Sequence, residues 1–149
     1  MGAKENLKIP EALLAAAQRR DAAAYGALFA EDATVRVAGV PRDLGGVAQG
    51  RQQIVANQEE FWRRVDTPGD VRLVNVFADD QHVCWEERVS GKFNGTRFFR
   101  GNGQPFTTYE CFVATVQDGR IRGLRNYTNF LDVYVQAGLV PVESLTTGS

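Results

Sequence analysis

The sequence predicts an α+β domain, a cone in which three N-terminal helices pack on a strongly curved antiparallel sheet. Three observations carry this. The N-terminal part of the chain holds three helix-forming stretches with apolar residues at helical spacing. Residues 70 to 131 then hold four long segments of alternating character. No repeat or low-complexity linker divides the 149 residues, so 1–149 reads as one domain.

The elements follow in order. Pro10 suits the first turn of a helix, and "PEALLAAAQRR" continues it with helix formers. Asp21 reads as the N-cap of a second helix, "DAAAYGALFAE", with Tyr25, Leu28 and Phe29 on one stripe. "ATVRVAG" is a short strand and "VPRDLGGVAQG" a loop. The third helix, "RQQIVANQEEFWRRV", aligns Ile54, Gln58, Phe61, Trp62 and Val65, and "TPGD" ends it. The strands are "DVRLVNVFA", "HVCWEERVSGKF", "PFTTYECFVATVQ" and "RIRGLRNYTNFL"; Asp118-Gly119 marks the last hairpin turn. "DVYVQAGL" forms a short closing helix that stops at Gly138, and "VESLTTGS" frays.

Composition excludes several functions. Seventeen Lys and Arg against 18 Asp and Glu leave a net charge of -1, without a basic run to hold nucleic acid. No apolar run of about 18 residues is present to cross a membrane, and the N-terminus lacks the apolar stretch of a secretory signal. Cys84 and Cys111 lack zinc-site spacing and read as small core hydrophobes in a reducing cytoplasm. His82, the one histidine, reads as a surface turn residue. No metal or cofactor site is expected.

A concave sheet roofed by helices leaves a pocket, the usual place for a small ligand. In "VCWEERVSGKF", Cys84, Glu86, Arg88 and Ser90 share one face, and Val83, Trp85, Glu87 and Val89 the other. The second row is mostly apolar and so expects burial. The alternation leaves open whether the first row faces water or a cavity. In water, a Glu86–Arg88 pair would be worth about 0–1 kcal/mol and do no chemistry.

"YGALFAEDATVRV", "GR" at the third helix and "DGRIRGLRNYTNFLDVYVQAGL" resemble the nuclear transport factor 2-like superfamily, in its SnoaL-like branch. That branch includes polyketide cyclases, phenazine-biosynthesis A/B proteins and limonene-type epoxide hydrolases. The resemblance implies a homodimer with a deep pocket for a hydrophobic small molecule, and the lack of a secretory stretch a cytoplasmic one. It also sets an orientation, with Glu86, Arg88 and Ser90 turned toward the helices and the Trp85 row covered by a dimer partner. The inherited machineries are incomplete here. The Asp-Arg-Asp set of the epoxide hydrolases maps onto Arg88 with Ser90 and Asn126 at the aspartate positions. The steroid-isomerase base maps onto Val37, and the phenazine-type acid and histidine onto Asn126 and the neighbourhood of Asn57.

On this orientation the catalytic residues are Glu110, Arg88 and Glu86. Glu110 sits between Thr108 and Phe112, where desolvation raises a carboxyl pKa and suits it to acid–base work. Arg88 would hold a carbonyl or enolate oxygen, with Glu86 competing for it. Tyr25, Ser90 and Asn126 would orient a substrate oxygen, while Phe112 and Trp62 supply wall. "FNGTRFFRGNGQPF" reads as a lid carrying Phe98 and Phe99, whose Arg100–Gly103 tip could be deleted without changing Tm. The expected activity is cofactor-free polyketide cyclisation; epoxide opening or isomerisation, and ligand binding without turnover, are the alternatives.

Overall fold

The computed structural model describes residues 2–40, 42–64, 70–95 and 100–145. In chain order the elements are α1 (Ala3–Asn6), α2 (Ile9–Gln18), α3 (Ala22–Ala27), β1 (Phe29–Ala38), β2 (Val47–Gln49) and α4 (Arg51–Arg64). They continue with β3 (Asp70–Ala78), β4 (His82–Lys92), β5 (Pro105–Gln117), β6 (Arg120–Thr128) and α5 (Phe130–Gln136). Six strands form one curved, unclosed sheet in the order β2-β1-β6-β5-β4-β3. The α+β class is as expected. The sheet, however, is mixed: β1 runs parallel to β6, while the other neighbours are antiparallel. Side-chain alternation is the same in both directions, so the sequence pattern carried no information about this pairing.

Local chemistry explains most element ends. Asp21 caps α3 by accepting from the Ala24 N–H at 2.9 Å, satisfying a donor that the first turn leaves open. Asn129 does the same for α5 through Asp132 at 3.2 Å, which ends β6 at Thr128 rather than at Leu131. Asp118 and Gly119 both have positive φ and turn β5 into β6. Gly138, also at positive φ, ends α5. Phe29 to Glu31, read as helix, belong instead to β1, where the neighbouring Leu28 carbonyl accepts from the Ile121 N–H at 2.8 Å. The segment read as a loop contains β2, paired with β1 from Thr34↔Gln49 to Arg36↔Val47. The break after α4 falls on residues outside the described set.

One face of the sheet carries the core. Phe29, Ala33, Val83, Trp85, Ala114, Ile121 and Leu124 pack there against Ile9, Leu13, Tyr25, Ile54 and Trp62 of the helices. Trp85 stacks on Phe112 with centroids 4.9 Å apart. Tyr25 contacts Phe29 and Trp62 at 5.3 and 5.7 Å. A smaller cluster, Phe93, Val133 and Ala137 with Phe106, Tyr134 and Leu139, joins α5 to the far end of β4 and β5.

This packing reverses the expected orientation of β4. Val83 and Trp85 are fully buried and Glu87 is 7% exposed, all toward the helices. The apolar row therefore meets its own core, and no dimer partner is needed to cover it. Cys84 and Cys111 are half-buried on the opposite face, 3.9 Å apart, rather than in the core. Phe77, Tyr109 and Tyr127 are exposed.

Candidate functional site

The inward rows of β4, β5 and β6 are apolar at both ends and polar in the middle. Strand register puts Glu87 opposite Glu110 and Trp85 opposite Phe112. Across the next seam Glu110 faces Thr128, and Phe112 faces Asn126. Toward one end lie Trp85, Phe112 and Leu124 of the main core; toward the other, the same rows reach Phe93 and Phe106 of the second cluster. Glu87, Thr108, Glu110, Asn126 and Thr128 thus form a polar belt between two hydrophobic clusters.

Both carboxyl groups are perturbed. Glu87 Oε1 accepts from Trp85 Nε1 at 2.9 Å. Burial raises the Glu87 pKa, and the indole hydrogen bond opposes that rise. Glu110 keeps some accessible surface, yet protein atoms crowd its carboxyl. Desolvation first, and then the charge of Glu87, push its pKa up to about 7; Asn126 and Thr128 act against them. Asn126 Nδ2 donates to Glu110 Oε2 at a long 3.4 Å, while Asn126 Oδ1 accepts from the Thr128 hydroxyl at 2.7 Å. Tyr25 reaches the same region from α3. Burial, then the Glu87 charge, raise its pKa, so the phenol stays protonated. The belt can hold and move a proton near neutral pH.

The structure brings together Glu110, Asn126, Phe112, Tyr25 and Trp62 on the helix side. It does not bring Glu86, Arg88 and Ser90 to them. Glu86 Oε2 accepts from Asn75 Nδ2 at 2.6 Å. Arg88 lies 3.9 Å from Asp70 with its side chain 40% exposed, and Ser90 bonds the Thr107 hydroxyl at 3.0 Å. These three partners share the outer face, because adjacent strand residues point to opposite sides. Arg88 therefore cannot hold an oxygen beside Glu110, and Glu86 is not its partner.

Glu87 takes a place in the belt that the sequence reading did not give it. Its signal was present: Val83, Trp85, Glu87 and Val89 form an apolar row interrupted by a single acid. Arg122, which the same pattern puts on the inward face of the last strand, bonds Asp32 and Gln117 at an exposed position, beside the bulge between Thr115 and Val116. His82 is exposed and contacts Asp79 at 3.2 Å, in keeping with a turn residue.

Phe98 and Phe99 lie outside the described residues. What is described of the segment around them is anchored rather than free. The Phe93 carbonyl accepts from the Asn102 and Gly103 N–H groups at 3.1 and 2.9 Å, and Asn102 Nδ2 donates to the Ala137 carbonyl at 2.6 Å. Asn102 thus ties the Arg100–Gly103 stretch to Ala137, the C-cap residue of α5. Among the described residues no group of three or more His, Cys, Asp or Glu could hold a metal ion, and no helix is long and apolar enough to cross a membrane.

Fold and belt together define an α+β scaffold with an acid-bearing inner sheet face. The family model for the SnoaL-like domain matches residues 11–124, and the chain belongs to that family, within the nuclear transport factor 2-like superfamily. Solved structures agree on the fold. An LEH-like epoxide hydrolase from M. tuberculosis is 21% identical with a TM-score of 0.70, covering 97% of this chain and 98% of its own. A protein provisionally assigned as a SnoaL-like polyketide cyclase, from Jannaschia sp. CCS1, is 17% identical with a TM-score of 0.80, covering 93% and 95%. Another provisionally assigned polyketide cyclase, from Xanthomonas campestris pv. campestris, is 20% identical with a TM-score of 0.73, covering 91% and 98%. No curated protein matches the chain in sequence.

Proposed function

We propose that this protein is a cofactor-free enzyme acting on a hydrophobic, oxygenated small molecule, with Glu110 as its proton-transfer group. The observation that carries this reading is the placement of the Glu110 carboxyl between two apolar clusters and opposite Glu87, where desolvation and then the neighbouring charge push its pKa up to about 7. A group titrating there supplies both protonation states at neutral pH, and such catalysis contributes about 10²–10⁴-fold. Phe112, Trp62 and the Trp85 row supply the apolar surround, and Asn126, Thr128 and Tyr25 the polar orientation.

Polyketide cyclisation is the reaction we favour, because ordering a flexible chain within an apolar site is itself a large part of the barrier. Epoxide opening fits less well. The position resembling a water-activating aspartate is Asn126, and Arg88 faces away. The proposal includes a second copy of the chain on the outer face, where Phe77, Tyr109 and Tyr127 are exposed. Sedimentation of the wild-type chain at the monomer mass would remove that part.

The test is turnover of a panel of aromatic polyketone esters and lipophilic epoxides by wild type and Glu110→Gln. The expected result is cyclisation that falls about 10²-fold or more in the variant, with ligand affinity changed only a few-fold. Binding of panel members that is equal in both proteins, with no turnover by either, would mark a ligand carrier and end the enzymatic reading.

A further inference from the structure

Glu87 has no place in the reaction just proposed, yet it is buried, 7% exposed, on the same inner face. We infer that Glu87 is a positioning residue: the Glu87–Glu110 pair holds one proton between them, the Trp85 indole fixes the negative charge on Glu87, and Glu110 meets the substrate as an acid. This deepens the proposed role of Glu110 and rests on it for its catalytic meaning.

Three features of the geometry support it. First, the two residues are direct cross-strand partners, which sets their Cβ atoms about 4.5–5.5 Å apart on one face. Two acids on facing positions of a poorly solvated sheet face titrate as a coupled pair, so that one ionises and its charge makes the second hold its proton more tightly. Second, their donors are unequal. Glu87 receives an indole N–H, a group that can only donate, at 2.9 Å. Glu110 receives an amide N–H at 3.4 Å and a contact from the Thr128 hydroxyl, which is already committed at 2.7 Å to that amide's oxygen. The shorter, donor-only contact selects Glu87 as the anion.

Third, among the described residues, the elements packed around the pair bring no countercharge to it. Facing it are Leu73 from β3, Thr108 and Phe112 from β5, Asn126 and Thr128 from β6, and Tyr25 from α3. On α4, Arg51 is turned to the Phe29 carbonyl at 2.9 Å. Asp132 of α5 is exposed and bonded to Gln136, and Arg36 of β1 is exposed. Glu86 and Arg88 occupy the other side of β4. Tyr25 is the titratable neighbour, and in its phenol form it adds no charge.

The experiment is a carboxyl carbon NMR titration of the substrate-free protein labelled at glutamate. In wild type the Glu110 midpoint is expected near 7. Glu87→Gln keeps the acceptor for Trp85 but deletes the charge, so the Glu110 midpoint should drop toward the ordinary carboxylate range. Glu86→Gln removes the same charge one residue away on the outer face and should leave that midpoint where it was. Because Glu110 is still protonated while Glu87 titrates, Glu110→Gln should leave the Glu87 midpoint where it was; a fall in that midpoint would show that Glu110 ionises first and would overturn the inference, which decides the matter if Glu87→Gln does not fold. An unmoved Glu110 midpoint in Glu87→Gln, or equal shifts in the two β4 variants, overturns the inference. Because no substrate is used, a protein that catalyses nothing can still pass this test, and an enzyme with an independent Glu110 fails it.

Discussion

Replacing Glu110 by Gln should change the pH dependence of stability before any substrate is known. Its folded-state pKa of about 7 lies above its reference value of 4.5, so the folded protein binds the proton more tightly than the unfolded chain. Stability from this group is therefore fully present below about pH 4.5, declines as pH rises, and is gone above about pH 7. Integrating over the shift gives a loss of about 2.5 kcal/mol between pH 5 and pH 8. Glutamine does not titrate, so the variant lacks this loss. Urea unfolding of both proteins at the two pH values measures the difference, and other titrating groups largely cancel in the comparison. Relative to wild type, Glu110→Gln should gain about 2–3 kcal/mol on going from pH 5 to pH 8. Parallel pH profiles would show that Glu110 is solvated, and the acid–base argument would fall with it.

Two further outcomes test the arrangement around the belt. Arg88→Ala, at a 40% exposed side chain 3.9 Å from Asp70, should cost less than about 1 kcal/mol in urea unfolding and leave turnover unchanged. A 100-fold loss of rate would return Arg88 to the site and contradict the strand facing. Gly101→Ala should destabilise the β4–β5 connection, because a Cβ there would stand 2.1 Å from the backbone of Asn94. A loss of at least about 1 kcal/mol is expected, with faster amide exchange at Asn102 and Gly103; unaltered exchange would show that this contact is relieved without cost.

Much of the candidate site was legible because strand alternation is a local property. Glu110, Phe112 and Asn126 fall on the inward rows since Ala114 and Leu124, two steps along on the same rows, are core residues. Tyr25 and Trp62 were readable from helical spacing. Misreading β4 by one face exchanged Glu87 for Glu86 and Arg88, because in a period-two structure an error in facing moves every side chain at once. The residues on their own favoured burying Val83 and Trp85. The charged row drew attention inward, since it offered an arginine and an acid where related machineries use them.

The amino-acid order by itself determined the α+β class, the helix cap at Asp21, the turn at Asp118-Gly119 and the placing of Glu110 in an apolar row. These depend on propensity, hydrogen bonding and periodicity within a few residues. Tertiary structure alone decided that β1 runs parallel to β6, that Trp85 faces the helices, and that Glu87 stands opposite Glu110. Those facts join strands distant in the chain. The free energy that selects them is the burial of Trp85, Phe29 and Ile121 in one cluster, a quantity that exists only once the strands have met.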